Sequence, residues 1–408
     1  MFILALALRN LFRNTRRTVI TSAAVVFGLA LQVLGWGLVD GLDDNFLRAA
    51  ATTTTGDILL RPPKYPTDGL SFPLEEASVP PALTGFTGDT APRVLFSAKV
   101  VHHADAARAL GVAYDPDLDY RVFPRERWRV QGVWPDKDQP QVAMGDAMAR
   151  LLGVGLGDQI TIQARTVDGA QNALAYAVTA LVHTDNGQMD NNAVWIRMAA
   201  ADELLQLQGR RTHIALHVGG LQDSTVVRDE IQASGMLKAA DGQEWTAKTT
   251  REEAADLLAI NDIRRKAILM LVGVIMCIAG LGIASTVVMA AYERVREIGT
   301  LLALGMKRRE VGALFLVEGA LLGIGAGIIG ASLGSAAVLY WQVNGIVLSP
   351  ELMKAQGSFP ASAVIYTHFN WAPVFGSLAF SAFIATLASL FPAWFAAHLN
   401  PADAVRAD

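Results

Sequence analysis

The chain has 408 residues, 52% of them hydrophobic and 18% charged, with a mean hydropathy of +0.32 and a formal net charge of −4. That is more apolar side chain than a soluble core of this length needs, which excludes an ordinary soluble globular protein and points to a membrane. A slightly acidic balance gives no nucleic-acid-binding surface, and one cysteine, Cys277, excludes both a disulfide framework and a cysteine-based metal site.

In chain order, "MFILALALRNLFRN" places apolar residues on most of one helical face, predicting an interfacial helix within 1–17. The uncharged run Thr18 to Val39 follows a basic segment as a signal peptide would. Its 22 residues exceed the ~7–15 of an h-region and no clear A-x-A site follows, so the expectation is a retained anchor, the first span at 18–39.

Further uncharged runs cover Ala267 to Tyr292, Val311 to Val347 broken only by Glu318, and Ala372 to Ala397. About 20 helical residues at roughly 1.5 Å each cross a ~30 Å hydrocarbon core, so these predict spans at 267–292, 311–339 and 372–397. The third is expected to end near Leu339, with Tyr340 and Trp341 at the interface. The expected fold is therefore a membrane protein of four transmembrane α-helices, with a large extracytoplasmic mixed α+β domain (40–266) inserted between helices 1 and 2. A segment at 293–310, an outer loop at 340–371 and a tail at 398–408 complete it.

Basic residues orient the spans. Arg9, Arg13, Arg16, Arg17, then Arg294, Arg296, Lys307, Arg308, Arg309, then Arg406 flank them on one side, whereas 348–371 offers only Lys354. Both termini and 293–310 are thus expected on the cytoplasmic side of the membrane. Arg264, Arg265 and Lys266 oppose this, but a long translocated domain is largely exempt from the charge rule. Residues 40–266 hold 31 acidic against 23 basic side chains, consistent with that side.

Within 40–266 the Pro-rich stretch Arg61 to Pro92 is expected to be an irregular excursion. "QVAMGDAMARLLG" reads as a short helix closed by glycine, and "QITIQAR" alternates like a half-buried strand. "LAYAVTALV", "NAVWI" and "THIALHV" also read as strands, "MAAADELLQLQG" and "STVVRDEIQASG" as helices. From Arg251 to Val272 no Gly or Pro interrupts helical periodicity, so the second span is expected to begin as a helix outside the lipid.

Enzyme chemistry is largely excluded. No Lys lies in a GxxxxGK[ST] loop, so ATP use is expected of a partner. His213 and His217 are four apart in a strand, about 13 Å end to end, which does not make a metal pair; no metal or cofactor site is expected in this chain. "GASLG" (330–334) fits the GxSxG pattern, but it sits inside an apolar run, not at a strand-to-helix turn. An intramembrane serine protease using Ser332 is therefore a remote alternative, and His398 would lie roughly 20–25 Å away by helix rise. The spacing of Gly319, Gly323 and Gly327, then Gly330 and Gly334, reads instead as a small-residue packing stripe. Glu318 is the one ionisable residue inside a span, either a functional group or one paired with a nearby arginine.

The charged island between spans two and three reads "ERVREIGTLLALGMKRREV". With the following "GALFLVEGALLGIGAGIIG" it resembles the signature region of MacB/FtsX-like permeases, transmembrane subunits of type VII ABC transporters, closest in layout to the LolC/LolE lipoprotein-releasing group. Glu293, Arg294, Arg296, Glu297, Ile298, Gly299, Leu301, Ala303, Leu304, Gly305 and Glu318 stand where that family's pattern has them. "FPAWFAAHLNPADAVRAD" is similar to the family's ending, with Phe395 and His398 replacing arginines, and "ARLLGVGLGDQITI" is similar to its L-G-x-x-x-G-D approach to a strand.

The resemblance implies that 293–310 is a coupling helix docked on a cytoplasmic ABC ATPase that binds ATP and Mg. Ile298, Leu301, Leu302 and Leu304 would supply an apolar face, and Arg294, Arg296, Lys307, Arg308 and Arg309 would pair with acidic groups. It also implies a second permease copy or a homologous permease, and mechanotransmission to the outer domain without a polar channel. A periplasmic lipoprotein or other lipid-anchored cargo is the first expectation, peptide or drug efflux the second, and regulation of a cell-wall hydrolase, as in FtsX-like regulators, the third.

Overall fold

The computed structural model describes residues 6, 7, 9, 15–66, 72–135, 139–184, 186–221, 223–347 and 364–398. Most of the expected interfacial helix, half of the 340–371 loop (348–363) and all of the tail beyond His398 lie outside the described residues. The chain divides into two compact units, Met1–Leu42 with Ile260–Ile346 and Tyr366–Asp408, and Asp43–Ala259 with Val347–Ile365.

The first unit is helical. Four described helices are long and apolar enough to cross a membrane. Helix α1 runs Thr15–Ala50, and a π-turn, Ala51–Thr55, follows it. Three long helices belong to the later half of the chain: Ala255–Glu293, Arg308–Asn344 and Trp371–Ala397. The first of these continues unbroken beyond both ends of the uncharged run 267–292. The Asn370 side chain caps the last by accepting from Ala372 N at 3.0 Å. The core of this unit contains Val25, Leu29, Met276, Ile283, Phe315 and Ala385.

The second unit is the mixed α+β domain, built on strands β1 (Ile58–Arg61), β2 (Asp89–His102), β3 (Asp105–Tyr114), β4 (Arg129–Gly132), β5 (Gln141–Gly145), β6 (Gln159–Arg165), β7 (Gln171–His183), β8 (Ala193–Arg197), β9 (His213–His217) and β10 (Thr246–Thr249). Strands β2, β3, β8, β5, β7 and β6 pair in that order, and β6 returns to β2, so the pairings close into a ring. A closed ring leaves none of these strands as a free edge. Alternate residues Val94, Phe96, Ala98 and Val100 of β2 enter one core with Ile160, Ile162, Val178 and Ile196. Beyond the ring, β9, β1 and β10 extend the sheet from β2.

Between the strands run α2 (Pro116–Val122), α3 (Asp146–Leu152), α4 (Gly187–Asn192), α5 (Met198–Leu205), α6 (Ser224–Ser234) and α7 (Thr250–Glu253). The long helices after them are α8 (Ala255–Glu293), α10 (Arg308–Asn344) and α11 (Trp371–Ala397), with the short α9 (Val295–Ala303) between α8 and α10.

Two expectations need correction. Residues 141–153 are not one helix: Gln141–Gly145 is strand β5 and the helix begins at Asp146. Val142 and Met144 of β5 enter one core and Ala143 a second, so all three are buried, and a strand covered on both faces has no alternation to read. The Pro-rich excursion is not free of core either, since Tyr65, Leu74 and Ala77 are buried and Ser78 bridges to Arg211. Residues 67–71 within it lie outside the described residues.

Candidate coupling site

Helix α8 stops at Glu293, where Arg294 leaves helical geometry (φ −116°, ψ 15°) and heads α9; its carbonyl accepts from Ile298 N at 2.9 Å. Helix α9 ends at Ala303, and Gly305, two residues on, has a φ of +97° that suits a residue without a Cβ. The next turn is closed by Glu310, whose Oε2 accepts from Lys307 N at 2.9 Å and satisfies one of the first free donors of α10.

The faces of α9 divide sharply. Ile298 is 3% exposed and packs with Val287, Ala291, Val311 and Phe315, while Leu302 lies half-buried against the same cluster. Gly299 is buried, Glu293, Arg296, Glu297, Lys307, Arg308 and Arg309 are exposed, and Leu304 is 80% exposed. The Leu301 side chain lies outside the described residues. The expected apolar docking face is thereby corrected. Ile298 and Leu302 hold α9 to its own bundle, because burying them there removes them from water without a partner. Leu304 is the described leucine of this segment left outward.

Arg294 is also turned inward. Its Nη1 stands 3.9 Å from Glu318 Oε2, and both side chains are 8% exposed. Two charges taken out of solvent this far are tolerated only as partners. Glu318 thus belongs to the α9 junction, and Arg294 is removed from the basic set expected to face a partner.

The glycine stripe of α10 is divided between two neighbours. Gly319, Gly323 and Gly327 face α11, where a Cβ on Gly323 would collide with Ala385. Gly330 and Gly334 face α1, where added Cβ atoms would lie 2.6 Å from Val26 O and 2.8 Å from Ala30 O. Ser381 Oγ donates to Gly323 O at 2.8 Å across the α10–α11 seam. Ser332 is exposed on an uninterrupted helix, and His398 Nδ1 meets Trp394 O at 2.8 Å, so no nucleophile elbow forms here.

In the mixed domain the structure assembles a polar joint that no sequence pattern marked. Thr53, in the π-turn after α1, offers its carbonyl to Arg93 Nη1 at 2.6 Å and its Oγ1 to Asn186 Nδ2 at 3.0 Å. Thr250, at the head of α7, donates to Gly56 O at 2.6 Å and lies 3.1 Å from Thr55 Oγ1. Behind them Asp119 receives Arg93 through Nε (2.6 Å) and Nη2 (3.0 Å), and Arg125 through Nη2 (2.8 Å).

Burial pushes the Asp119 pKa upward, but Arg93 and then Arg125 outweigh it and hold the carboxyl below its usual range. Phe123 covers the Arg93 guanidinium at 3.4 Å and Trp134 that of Arg125 at 3.9 Å. Each of these residues alone is an unremarkable Arg, Asp or Thr; their partners lie up to 195 positions away.

His213 and His217 do not form a metal pair. His213 is buried, its pKa pushed down to about 3 by desolvation and by Arg61 and Arg93, and its Nδ1 meets Thr212 Oγ1 at 2.8 Å. His217 Nδ1 instead pairs with Asp57 Oδ2 at 2.8 Å.

Two family models match the chain: the MacB-like periplasmic core domain over residues 18–242, and the FtsX-like permease C-terminal domain over 269–401. Among curated relatives, an uncharacterized ABC transporter permease, MJ1507, of Methanocaldococcus jannaschii is 22% identical across 100% of this chain and 98% of its own. The lipoprotein-releasing system transmembrane protein LolC of Xylella fastidiosa is 23% identical across 65% of this chain and 64% of LolC. The macrolide export ATP-binding/permease protein MacB of Sodalis glossinidius is 24% identical across 99% of this chain and 60% of MacB.

The periplasmic region of MacB from Actinobacillus actinomycetemcomitans, a solved structure, aligns with 49% of this chain and 91% of its own at 9% identity and a TM-score of 0.33. The family assignment rests on the family models and not on that likeness. With one model matching more than half of its residues and the second most of the remainder, the chain belongs to the MacB/FtsX-like family of ABC transporter permeases.

Proposed function

We propose that this permease carries ATP-driven motion of a separate cytoplasmic ATPase to its extracytoplasmic domain, and that the motion extracts or releases a lipid-anchored cargo such as a lipoprotein. ATP and Mg are bound by that partner. The bacterial inner membrane holds the chain with both termini in the cytoplasm, and a second copy or a homologous permease completes the transporter.

The observation that carries this reading is the two-sided build of α9. Ile298 and the Arg294–Glu318 pair fasten it to α8 and α10, while Leu304, Arg296, Glu297, Lys307, Arg308 and Arg309 stand outward for a partner. A helix held on one face and presenting charge on the other passes a push from a docked protein directly to the helices it is fixed to. LolC, a relative named for lipoprotein release, supports the cargo class. A second reading, export of a small molecule, is supported by MacB, whose alignment extends over 99% of this chain.

The test is purification of the tagged full chain from native membranes in mild detergent, with ATPase activity and co-purifying proteins measured. Retention of an ATPase is expected, with loss in Arg296→Ala/Glu297→Ala and in Leu304→Asp at unchanged thermal stability. Absence of any ATPase under several mild detergents, or equal retention in both variants, would overturn the coupling reading. In proteoliposomes with the co-purified ATPase, ATP-dependent release of an acylated but not a non-acylated protein supports the lipoprotein class; release of neither, with efflux of small molecules, moves the assignment to export.

A further inference from the structure

Strands β5 and β7 are parallel neighbours with Gly145 paired to Val182, which sets Asp146, the next residue on one, beside His183, the next on the other. Helix α4 then brings Asp190 to the same place. Gly145 permits this, since a Cβ there would collide with the Asp190 carbonyl. His183 Nδ1 lies 2.9 Å from Asp190 Oδ2 and 3.4 Å from Asp146 Oδ1, and the three ligand atoms all fall within 4.8 Å of one another.

The chemistry of this trio favours a cation over a proton. An imidazole Nδ1 carries at most one hydrogen, yet this one faces two carboxylate oxygens. Ligands held about 2.0–2.2 Å from a common zinc-like ion stand roughly 3–3.5 Å apart; the two separations to His183 Nδ1, 2.9 and 3.4 Å, are close to that, and the two carboxylate oxygens lie within 4.8 Å of each other.

Each carboxylate is also steered from behind. Asp190 Oδ1 accepts from Thr184 N and Thr184 Oγ1, both at 2.7 Å, and Asp146 Oδ2 accepts from Arg150 Nη1 at 2.7 Å, so on each group the other oxygen is the one turned to His183. Side-chain exposures of 29% for His183 and 24% for Asp146 against 6% for Asp190 leave one side open to water.

We propose that Asp146, His183 and Asp190 form a binding site for a divalent transition-metal cation of zinc-like preference, with water completing the coordination. One imidazole and two carboxylates with open positions suit such an ion better than calcium or magnesium, which favour oxygen ligands alone. The site would have a structural consequence close by. Asn186, which caps α4, donates to Thr53 Oγ1, so an ion fixing Asp190 to β5 and β7 stiffens the turn that grips the end of α1.

The experiment uses the tag-free full chain in micelles, stripped with chelator and titrated with Zn²⁺ by calorimetry. Expected is about one ion per chain, with affinity at least tenfold weaker in both His183→Gln and Asp146→Asn. Zn²⁺ is also expected to raise the Tm of the parent protein and leave that of the variants unmoved. Asp190 is left intact because its Thr184 contacts are structural. Should His183→Gln fold poorly without metal, Asp146→Asn and X-ray absorption of the zinc-loaded parent decide, with one imidazole and oxygen ligands expected. No uptake by the parent, equal affinity in the variants, or a coordination shell with two or more imidazoles would overturn the site.

Discussion

Arg294 and Glu318 meet at 3.9 Å between the head of α9 and the third turn of α10, each nearly excluded from solvent. The pair joins the segment proposed to receive the ATPase to a helix that Gly323 and Gly330 pack against two others. An ionic tie at that position resists sliding of α9 over the bundle, because separating the partners strands two charges where water is scarce.

Removing one partner should therefore cost more than removing both. Arg294→Met and Glu318→Met are each expected to destabilise the protein by about 3–5 kcal/mol, and the double substitution to recover most of that loss. Thermal unfolding of the four proteins in one detergent measures the cycle; additive losses would show that the two side chains do not act as a pair.

Asp119 makes the outer domain acid-sensitive. Its carboxyl is held below the usual range in the folded state, so the stability it contributes is present above the unfolded value of about 3.9 and is lost as pH falls through the lower folded value. Asp119→Asn is expected to lower stability at pH 7 by about 3–5 kcal/mol, leaving Arg93 and Arg125 buried without a counter-charge, and to flatten the loss of stability below about pH 4. Fluorescence of Trp128, Trp134 and Trp195, whose rings neighbour one another about Arg125 and Tyr114, reports this unfolding across a pH series.

The glycine stripe predicts a contrast within one helix. Gly330→Ala places a methyl 2.6 Å from the Val26 carbonyl and forces α1 and α10 apart, whereas Gly325→Ala meets nothing within 4 Å. The first is expected to lower detergent stability by about 1–3 kcal/mol, as overpacking does, and the second to leave it unchanged or slightly raise it through helix propensity. Melting temperatures of the two variants suffice to check this.

Thr250→Val keeps the shape of a fully buried side chain and removes its hydroxyl. Gly56 O and Thr55 Oγ1 then lose a partner, for a cost of about 1–3 kcal/mol. Hydrogen exchange should show faster opening at 51–57 than in the ring strands; uniform exchange would mean that this joint is not a local tie.

Fold class was legible from residues alone because the bilayer constrains a chain so simply. A span must be about 20 apolar residues, so uncharged runs around Leu29, Met276, Phe315 and Ala385 announce helices without any knowledge of their neighbours. The glycine spacing at 319, 323 and 327 announced a close approach for the same reason, since a four-residue repeat on a helix is one face.

What only the tertiary structure decided was which neighbours those faces meet. Periodicity shows that Ile298 and Leu302 share an apolar stripe, but a stripe is equally suited to a partner and to the chain's own bundle, and packing chose the bundle. The same holds for charge: Arg294 looks like its exposed neighbour Arg296 until Glu318, 24 residues on, is brought beside it. Strand β5 escaped reading because burial on both faces erases alternation, and the groupings of Arg93 with Asp119 and of Asp146 with His183 and Asp190 arise from sheet register together with the packing of the short helices that carry Asp119 and Asp190, which a single sequence does not encode locally.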